Sequence, residues 1–504
     1  MNLFCIVPYS VEGWIPPAPA RLKSFLKGHD IDSEVLDLNL EIFKNIHDPT
    51  LAKQIADWCR KLSDNPQNTL LARKYMTHWA NKCVKIFQQR QVKNLLLSLP
   101  SLESQIATEM LCAFVKKHLP EVNVVCGGPG TSTFENGSYT WANKMINKKY
   151  ADHVVVGEGE KILSKIINDS APKGLHVVKP LDVTEWTGFF PNYDDYELES
   201  YTRWHEATWG DTDQFLPITA SKGCVRTCSF CDVQHIWPKF AFRSGEDVAN
   251  EMIFQYEKYG VKRFSFTDSL INGSISNYRK MNEIIAKKYP NHFEYYAHFI
   301  CRPKRQFPSE DFITMKQAGA HTISIGMESG SERVRNHMKK KFSDADIDYT
   351  VTNLAKNNIN QVWMMIYGYP TETLIDHQAS LDLYKRHRHL NNKKSIRVRG
   401  MPFQLIGNSP IGLSSNHKIN PDFSDVNIIS EVEDDNYGHF WLNLNNPNLN
   451  YEERIRRWLE AESLLSELGY NKNTQSTNMV KFKKLYQSTI DFYQCNKKQY
   501  EFAV

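Results

Sequence analysis

Three of the chain's ten cysteines fall within eight residues, in the run Ser221-Lys222-Gly223-Cys224-Val225-Arg226-Thr227-Cys228-Ser229-Phe230-Cys231. An apolar segment, residues 215–221, leads into the run and reads as a strand, and Gly223 permits a sharp exit from it. Three thiolates on one tight loop can converge on a single metal centre. Two centres fit these residues. Cys224, Cys228, Cys231 and His235 form a Cys3His set for zinc. Alternatively, the three thiolates hold three irons of a [4Fe–4S] cluster and leave the fourth iron open to a ligand. A structural zinc site normally spreads paired ligands over two knuckles, and this run has one.

The rest of the chain alternates strands and helices. In residues 1–167 the strands are 2–8, 32–38, 94–99, 122–126 and 153–156, with helices at 18–28, 104–118 and 138–149 and a mostly helical insertion at 39–90. This spacing predicts a parallel, doubly wound, flavodoxin-like sheet whose ligand lies at the C-terminal strand edge. Residues 168–212 carry Pro172, Pro180, Pro191 and Trp186 without a clear period, and read as a linker that packs on both neighbours. From residue 213 to 412 six further strands (215–221, 263–267, 294–299, 322–326, 362–368, 396–404) alternate with helices, as in a partial (β/α)6 barrel. Residues 413–504 read as a mostly helical tail. Its helix at 451–468 has Asn450 and Glu453 at its start and Gly469 at its end. Arg454, Arg456 and Arg457 are expected on its solvated face, and Trp441 and Trp458 in the core.

Composition bounds the function. A chain of 504 residues is too long for one core. Lys plus Arg is 61 and Asp plus Glu is 57, so the net charge is 61 − 57 = +4, which gives no case for a nucleic-acid-coating protein. No stretch approaches the roughly 20 apolar residues that span a bilayer. Residues 1–8 lack a basic n-region and a cleavage site, and read as a strand rather than a signal peptide. Scattered cysteines (Cys5, Cys59, Cys83, Cys112, Cys301, Cys495) without an export signal imply free thiols in a reducing cytoplasm. Cys301 alone lies at a barrel strand end.

The C-x3-C-x2-C spacing, with the aromatic Phe230 before the last cysteine, resembles the signature of the radical S-adenosylmethionine (SAM) superfamily. Phe264-Ser265-Phe266-Thr267-Asp268-Ser269 resembles the family's strand end that holds the SAM amine. Gly326-Met327-Glu328-Ser329-Gly330-Ser331-Glu332 is similar to its GxESGSE strand end, and Gly368-Tyr369-Pro370-Thr371-Glu372-Thr373 to its GxPxET turn. The resemblance implies that Cys224, Cys228 and Cys231 hold the cluster and that Phe230, Asp268, Ser269, Arg302 and Glu328 belong to the SAM site. The chemistry agrees: an amine needs acceptors (Asp268, Ser269), a carboxylate needs a cation (Arg302), and ribose hydroxyls need an acceptor (Glu328).

Ahead of such a core, residues 1–167 resemble the cobalamin-binding domain of B12-type radical SAM proteins. The carrying residues are Val7-Pro8, Pro16-Pro17, Gly127-Gly128-Pro129-Gly130 and Gly157-Glu158-Gly159-Glu160. Glycines at strand ends let backbone approach a large planar ligand. The motif D-x-H-x-x-G is absent, since neither His29 nor His47 sits in that context, so the resemblance implies cobalamin held without a protein histidine, a domain that has lost it, or a different ligand.

The implied activity is reductive cleavage of SAM to methionine and a 5′-deoxyadenosyl radical. With cobalamin present, methyl transfer to an unactivated carbon of a small-molecule or natural-product-like substrate follows, with electrons from flavodoxin or ferredoxin and no membrane or nucleic-acid partner. Two alternatives remain at this stage: a cyclase, rearrangement or oxidation enzyme on the same core, and a zinc-stabilised nucleic-acid-binding module.

Overall fold

The computed structural model describes residues 1–8, 14–45, 48–59, 66–135, 138–178, 187–209, 215–391, 394–413, 423–430, 437–438 and 441–471. His47, Trp186 and Cys495 lie outside these. The chain is mixed α/β, and it divides into two compact units. The first comprises Met1–Lys222, Ala241–Thr267 and His292–Glu294; the second comprises Gly223–Phe240, Asp268–Asn291 and the chain from Tyr295 on.

In the first unit six strands form one sheet: β1 (Asn2–Ile6), β2 (Glu34–Asp37), β3 (Asn94–Ser98), β4 (Asn123–Gly127), β5 (His153–Val156) and β6 (Gly174–Val177). Their order is β2-β1-β3-β4-β5-β6, every pair parallel. The central strands read Asn-Leu-Leu-Leu-Ser and Asn-Val-Val-Cys-Gly because helices cover both faces and leave no polar side. Helix α1 (Pro17–Lys27) opens with proline, whose missing N–H would have no partner there. The core gathers Leu97, Cys126 and Val154 from the sheet with Met76 and Leu111 from the helices.

The segment expected to be a linker is more structured than its sequence shows. It contributes β6 to the sheet and a helix, Leu198–Trp209. β6 lies at the sheet edge and none of its residues is buried, so burial imposed no apolar pattern there. The segment bonds to residues around α1 and β2 and to the helix Gly245–Tyr259. Tyr196 Oη donates to the Pro16 carbonyl at 3.0 Å, and the Val35 amide donates to Asp195 at 2.7 Å. From that helix, Gln255 donates to the Pro191 carbonyl at 2.9 Å.

All six strands expected of the partial barrel form. β7 (Leu216–Ile218) and β8 (Arg263–Phe266) pair in parallel in the first unit. β9 (Glu294–Phe299), β10 (Ala320–Glu328), β11 (Asn360–Tyr367) and β12 (Ile396–Pro402) run side by side, all parallel, in the second.

The tail carries the expected helix, α2 (Tyr451–Glu467), and adds a short antiparallel pair, Ile428–Ser430 with Trp441–Asn443. The Asn450 side chain caps the helix by accepting from the Glu453 amide at 3.0 Å. The arginines divide against expectation. Arg456 faces solvent with Glu453 and Glu460, but Arg454 and Arg457 are buried. Arg454 lies 3.9 Å from the Trp441 ring centroid, and Arg457 donates to Glu372 at 2.9 Å. A charge read as solvated here anchors the helix, because aromatic faces and a buried carboxylate accept it.

Candidate metal centre and cofactor sites

The cysteine loop leaves its strand at Gly223, where φ is +78° and an added Cβ would lie 2.8 Å from the Lys239 carbonyl oxygen. Only glycine takes that turn without strain. Neighbouring elements pin the loop through its backbone. The Ser229 amide donates to the Met338 carbonyl at 3.1 Å, and Ser229's carbonyl accepts from the Ile411 amide at 2.8 Å. The Arg226 amide donates to Cys224 Sγ at 3.4 Å. Cys224, Cys228 and Cys231 are free thiols. Burial pushes Cys228 up to about 11, and negative charge on Cys224 or Cys231 pushes it the same way, so the three thiols sense one another. Among the described residues no three His, Cys, Asp or Glu side chains are gathered closely enough to hold one metal ion.

Glu328 ends β10 in a left-handed conformation, φ +66°, after a register shift at Gly326. A bulky residue held there marks a place where the surroundings dictate the backbone. Its carboxylate accepts from Lys340 Nζ at 2.9 Å, and both side chains are about nine-tenths buried. Gly326 makes the room: a Cβ there would sit 2.5 Å from Glu328 Oε1 and 2.9 Å from Lys340 Nζ. Burial pulls the Lys340 ammonium down, but Glu328 and the thiolates of Cys228 and Cys224 outweigh it and hold it protonated. The ammonium also lies 5.8 Å from the Phe230 ring centroid. Glu328, Lys340, Phe230 and the cysteines therefore share one neighbourhood.

Arg302 follows β9. Its Nη2 donates to the carbonyls of Asn272, at 2.9 Å, and Gly273, at 3.4 Å. Burial lowers its pKa, Arg226 lowers it further, and Cys224 acts the other way. The guanidinium thus senses the first cysteine. Asp268 is buried just past β8, and Ser269 beside it is exposed. Cys301 is a core residue, pushed up to about 12 by burial.

The local sequence gives no sign of the role of Lys340. It lies in Lys339-Lys340-Lys341, a run that reads as solvated, yet only Lys340 of the three is buried. Tyr367 and Tyr369 are fully buried and hydrogen-bonded.

The N-terminal strand ends are built differently. Gly128 and Gly157 have φ of +98° and +100°, and a Cβ on them would lie 2.6 Å from the Leu99 oxygen and 2.2 Å from the Val178 oxygen. These glycines fit backbone to backbone, locking neighbouring loops together. Gly127 follows Cys126 at the end of β4, with Pro129 opening a short 3-10 turn. Gly159 meets only Leu22 and Leu163, at 3.4 Å. Glu158 is buried, and its carboxylate accepts twice from Lys222 Nζ, at 2.5 and 2.6 Å.

Residues 218–384 match the profile of the Radical SAM superfamily. That span is similar to a radical SAM core. The cysteine loop, the Glu328 strand end and the Gly368–Thr373 turn all lie inside the matched span. Among curated proteins, the chain is similar to bacteriochlorophyllide d C-12(1)-methyltransferase of Chlorobaculum tepidum, 28% identical over 35% of this chain and 38% of that one. The chain spans less than two thirds of the length of the first curated relatives it matches. Two solved structures share the fold. Radical SAM methyltransferase TsrM from Kitasatospora setae, with cobalamin and a [4Fe–4S] cluster bound, aligns with a TM-score of 0.60 over 94% of this chain and 92% of that one at 15% identity. Cobalamin-dependent SAM radical enzyme OxsB aligns with a TM-score of 0.64 over 98% and 71% at 15% identity. No helix among the described residues is long and apolar enough to cross a membrane.

Proposed function

We propose that the chain is a cobalamin-dependent radical SAM methyltransferase acting on a small molecule. The observation that carries this is the neighbourhood around Lys340: three free thiols on one pinned loop, beside a buried ammonium and a strained strand-end carboxylate. Cys224, Cys228 and Cys231 hold a [4Fe–4S] cluster and leave one iron for the amine and carboxylate of SAM. Cys228 and Cys231, whose thiols burial raises, suit this role, since coordination deprotonates them and the ion's charge replaces the lost solvation. Lys340 and Arg302 are cations placed near the cysteines, and either can meet the SAM carboxylate. Asp268 and Ser269 receive the amine. When bound, the cluster and SAM supply a carbon radical and cobalamin supplies a transferable methyl group.

In the N-terminal domain the loops after β3, β4 and β5 would hold cobalamin at the C-terminal strand edge, with no protein histidine among the residues assigned to it. The domain's strand order is flavodoxin-like, for which the switch point between β1 and β3 is the ordinary ligand crevice. Gly127, Gly128, Pro129, Gly157 and Gly159 shape that edge through backbone, and Glu158 supports it through Lys222. A one-electron carrier such as flavodoxin or ferredoxin supplies the reductant in a reducing cytoplasm.

The visible spectrum of protein reconstituted anaerobically with iron, sulfide and hydroxocobalamin tests both cofactors together. Cluster and corrinoid bands are expected, with iron and sulfide in equal amounts. Methyl-deuterated SAM then decides the outcome: label in the product supports methyl transfer. 5′-Deoxyadenosine without label in the product refutes it and favours rearrangement.

A further inference from the structure

A chain of hydrogen bonds runs from the protein surface to the cysteine loop. The exposed carboxylate of Asp425 lies 3.1 Å from His337 Nε2. His337 Nδ1 lies 2.8 Å from Tyr369 Oη, and Tyr369 Oη lies 2.8 Å from Ser229 Oγ. Ser229 stands between Cys228 and Cys231, and Ser229 and Tyr369 are both fully buried. Tyr369 belongs to the Gly368–Thr373 turn after β11, and His337 ends the helix Glu332–His337 that follows β10. Two strand ends thus meet on the serine of the metal loop.

The chain has a direction, and His337 sets it. A carboxylate only accepts, so Asp425 keeps a proton on Nε2. In the neutral imidazole, Nδ1 then accepts the Tyr369 hydroxyl proton. Tyr369 in turn accepts from Ser229, whose proton is then committed to Tyr369. In the imidazolium, Nδ1 donates to Tyr369, Tyr369 donates to Ser229, and the Ser229 hydroxyl is released to donate elsewhere on its loop. The charged and titratable groups around His337 among the described residues are few. Asp425 and Tyr369 touch it, Arg333 senses Asp425, and Lys339 lies over the Phe423 ring that packs on the imidazole.

We propose that His337 and Tyr369 are positioning residues that act through Ser229, and that protonation of His337 turns a hydrogen-bond donor toward the metal centre. The inference rests on the cluster reading. A reduced cluster carries one more negative charge, and donors to its ligands favour that state. Protonation of His337 therefore makes reduction easier, and the two events are coupled.

The test is a redox titration, read by the electron paramagnetic resonance (EPR) signal of the reduced cluster, on reconstituted full-length protein at several values of pH. Wild type is compared with His337→Gln, Tyr369→Phe and Ser229→Ala, with iron and sulfide measured in each sample. The midpoint potential of wild type is expected to fall as pH rises. In the variants that dependence is lost or reduced, with iron and sulfide unchanged in His337→Gln. A His337→Gln protein with the wild-type dependence, or a wild type with none, overturns the inference. If Tyr369→Phe loses its cluster, His337→Gln and Ser229→Ala decide. A wild type that assembles no cluster refutes the cluster reading itself, and the inference with it.

Discussion

The cysteine neighbourhood and the N-terminal strand edge are two ways of building a strand-end site. The first is made of side chains with chemistry: thiols, the Glu328–Lys340 pair, and the Ser229–Tyr369–His337 chain. The second is made of backbone: Gly128 and Gly157 at positive φ, pressed against the carbonyls of Leu99 and Val178. The difference teaches where each is vulnerable. A side-chain site fails by losing a functional group, whereas a backbone site fails by gaining an atom.

The largest effect is expected from replacing Cys224, Cys228 and Cys231 together by alanine. Iron and sulfide binding should vanish while the circular dichroism spectrum stays that of wild type. A triple variant that keeps a full cluster would place the metal elsewhere.

Next is Lys340→Met, which strands Glu328 as a buried charge. Breaking a buried pair on one side costs about 3–5 kcal/mol, and replacing both partners costs much less. Denaturant unfolding should show a large loss for Lys340→Met and a recovery in Lys340→Met with Glu328→Gln. Equal losses in both would mean that the pair does not govern stability at this strand end.

The backbone site should break in the opposite manner. Gly157→Ala puts a Cβ where no atom fits, at a cost of at least about 1–3 kcal/mol. Gly159→Ala, at ordinary contact distance, should be near neutral. Corrinoid uptake should fall in the first variant and hold in the second, with cluster content unchanged in both. Loss of corrinoid in Gly159→Ala alone would reverse the reading of this edge.

The smallest effect concerns the turn that carries Tyr369. Burial pushes Glu372 up to about 7, against the pull of Arg457. The folded protein then binds a proton that the unfolded chain, with its carboxyl near 4.5, has released. Stability from this group is therefore present below about pH 4.5 and lost as pH rises toward 7. Glu372→Gln should flatten that fall in pH-dependent thermal melts. An unchanged slope would show that Glu372 ionises early and that Arg457 outweighs burial.

The same contrast explains what the sequence makes legible. Cys224, Cys228 and Cys231 announce themselves because a metal loop needs its ligands close along the chain. β3, β4 and β5 are legible because burial on both faces gives each an unbroken apolar run at its centre. Lys340 is hidden because its role depends on a fold that buries one lysine of three and exposes its neighbours. Arg457 is hidden likewise, since a helical sequence does not reveal which of adjacent arginines faces a buried carboxylate. β6 is missed because an edge strand needs no pattern. The strand-end glycines are visible as residues, but their contacts are with neighbouring carbonyls, which no local spacing encodes.

The central claim is that the cysteine neighbourhood holds a cluster with one iron open to SAM. The most direct measurement is the EPR spectrum of the reduced, reconstituted protein with and without SAM. The account predicts a cluster signal that SAM alters in wild type and that is absent in the Cys224, Cys228 and Cys231 variant. A reduced cluster whose spectrum is indifferent to saturating SAM would contradict it.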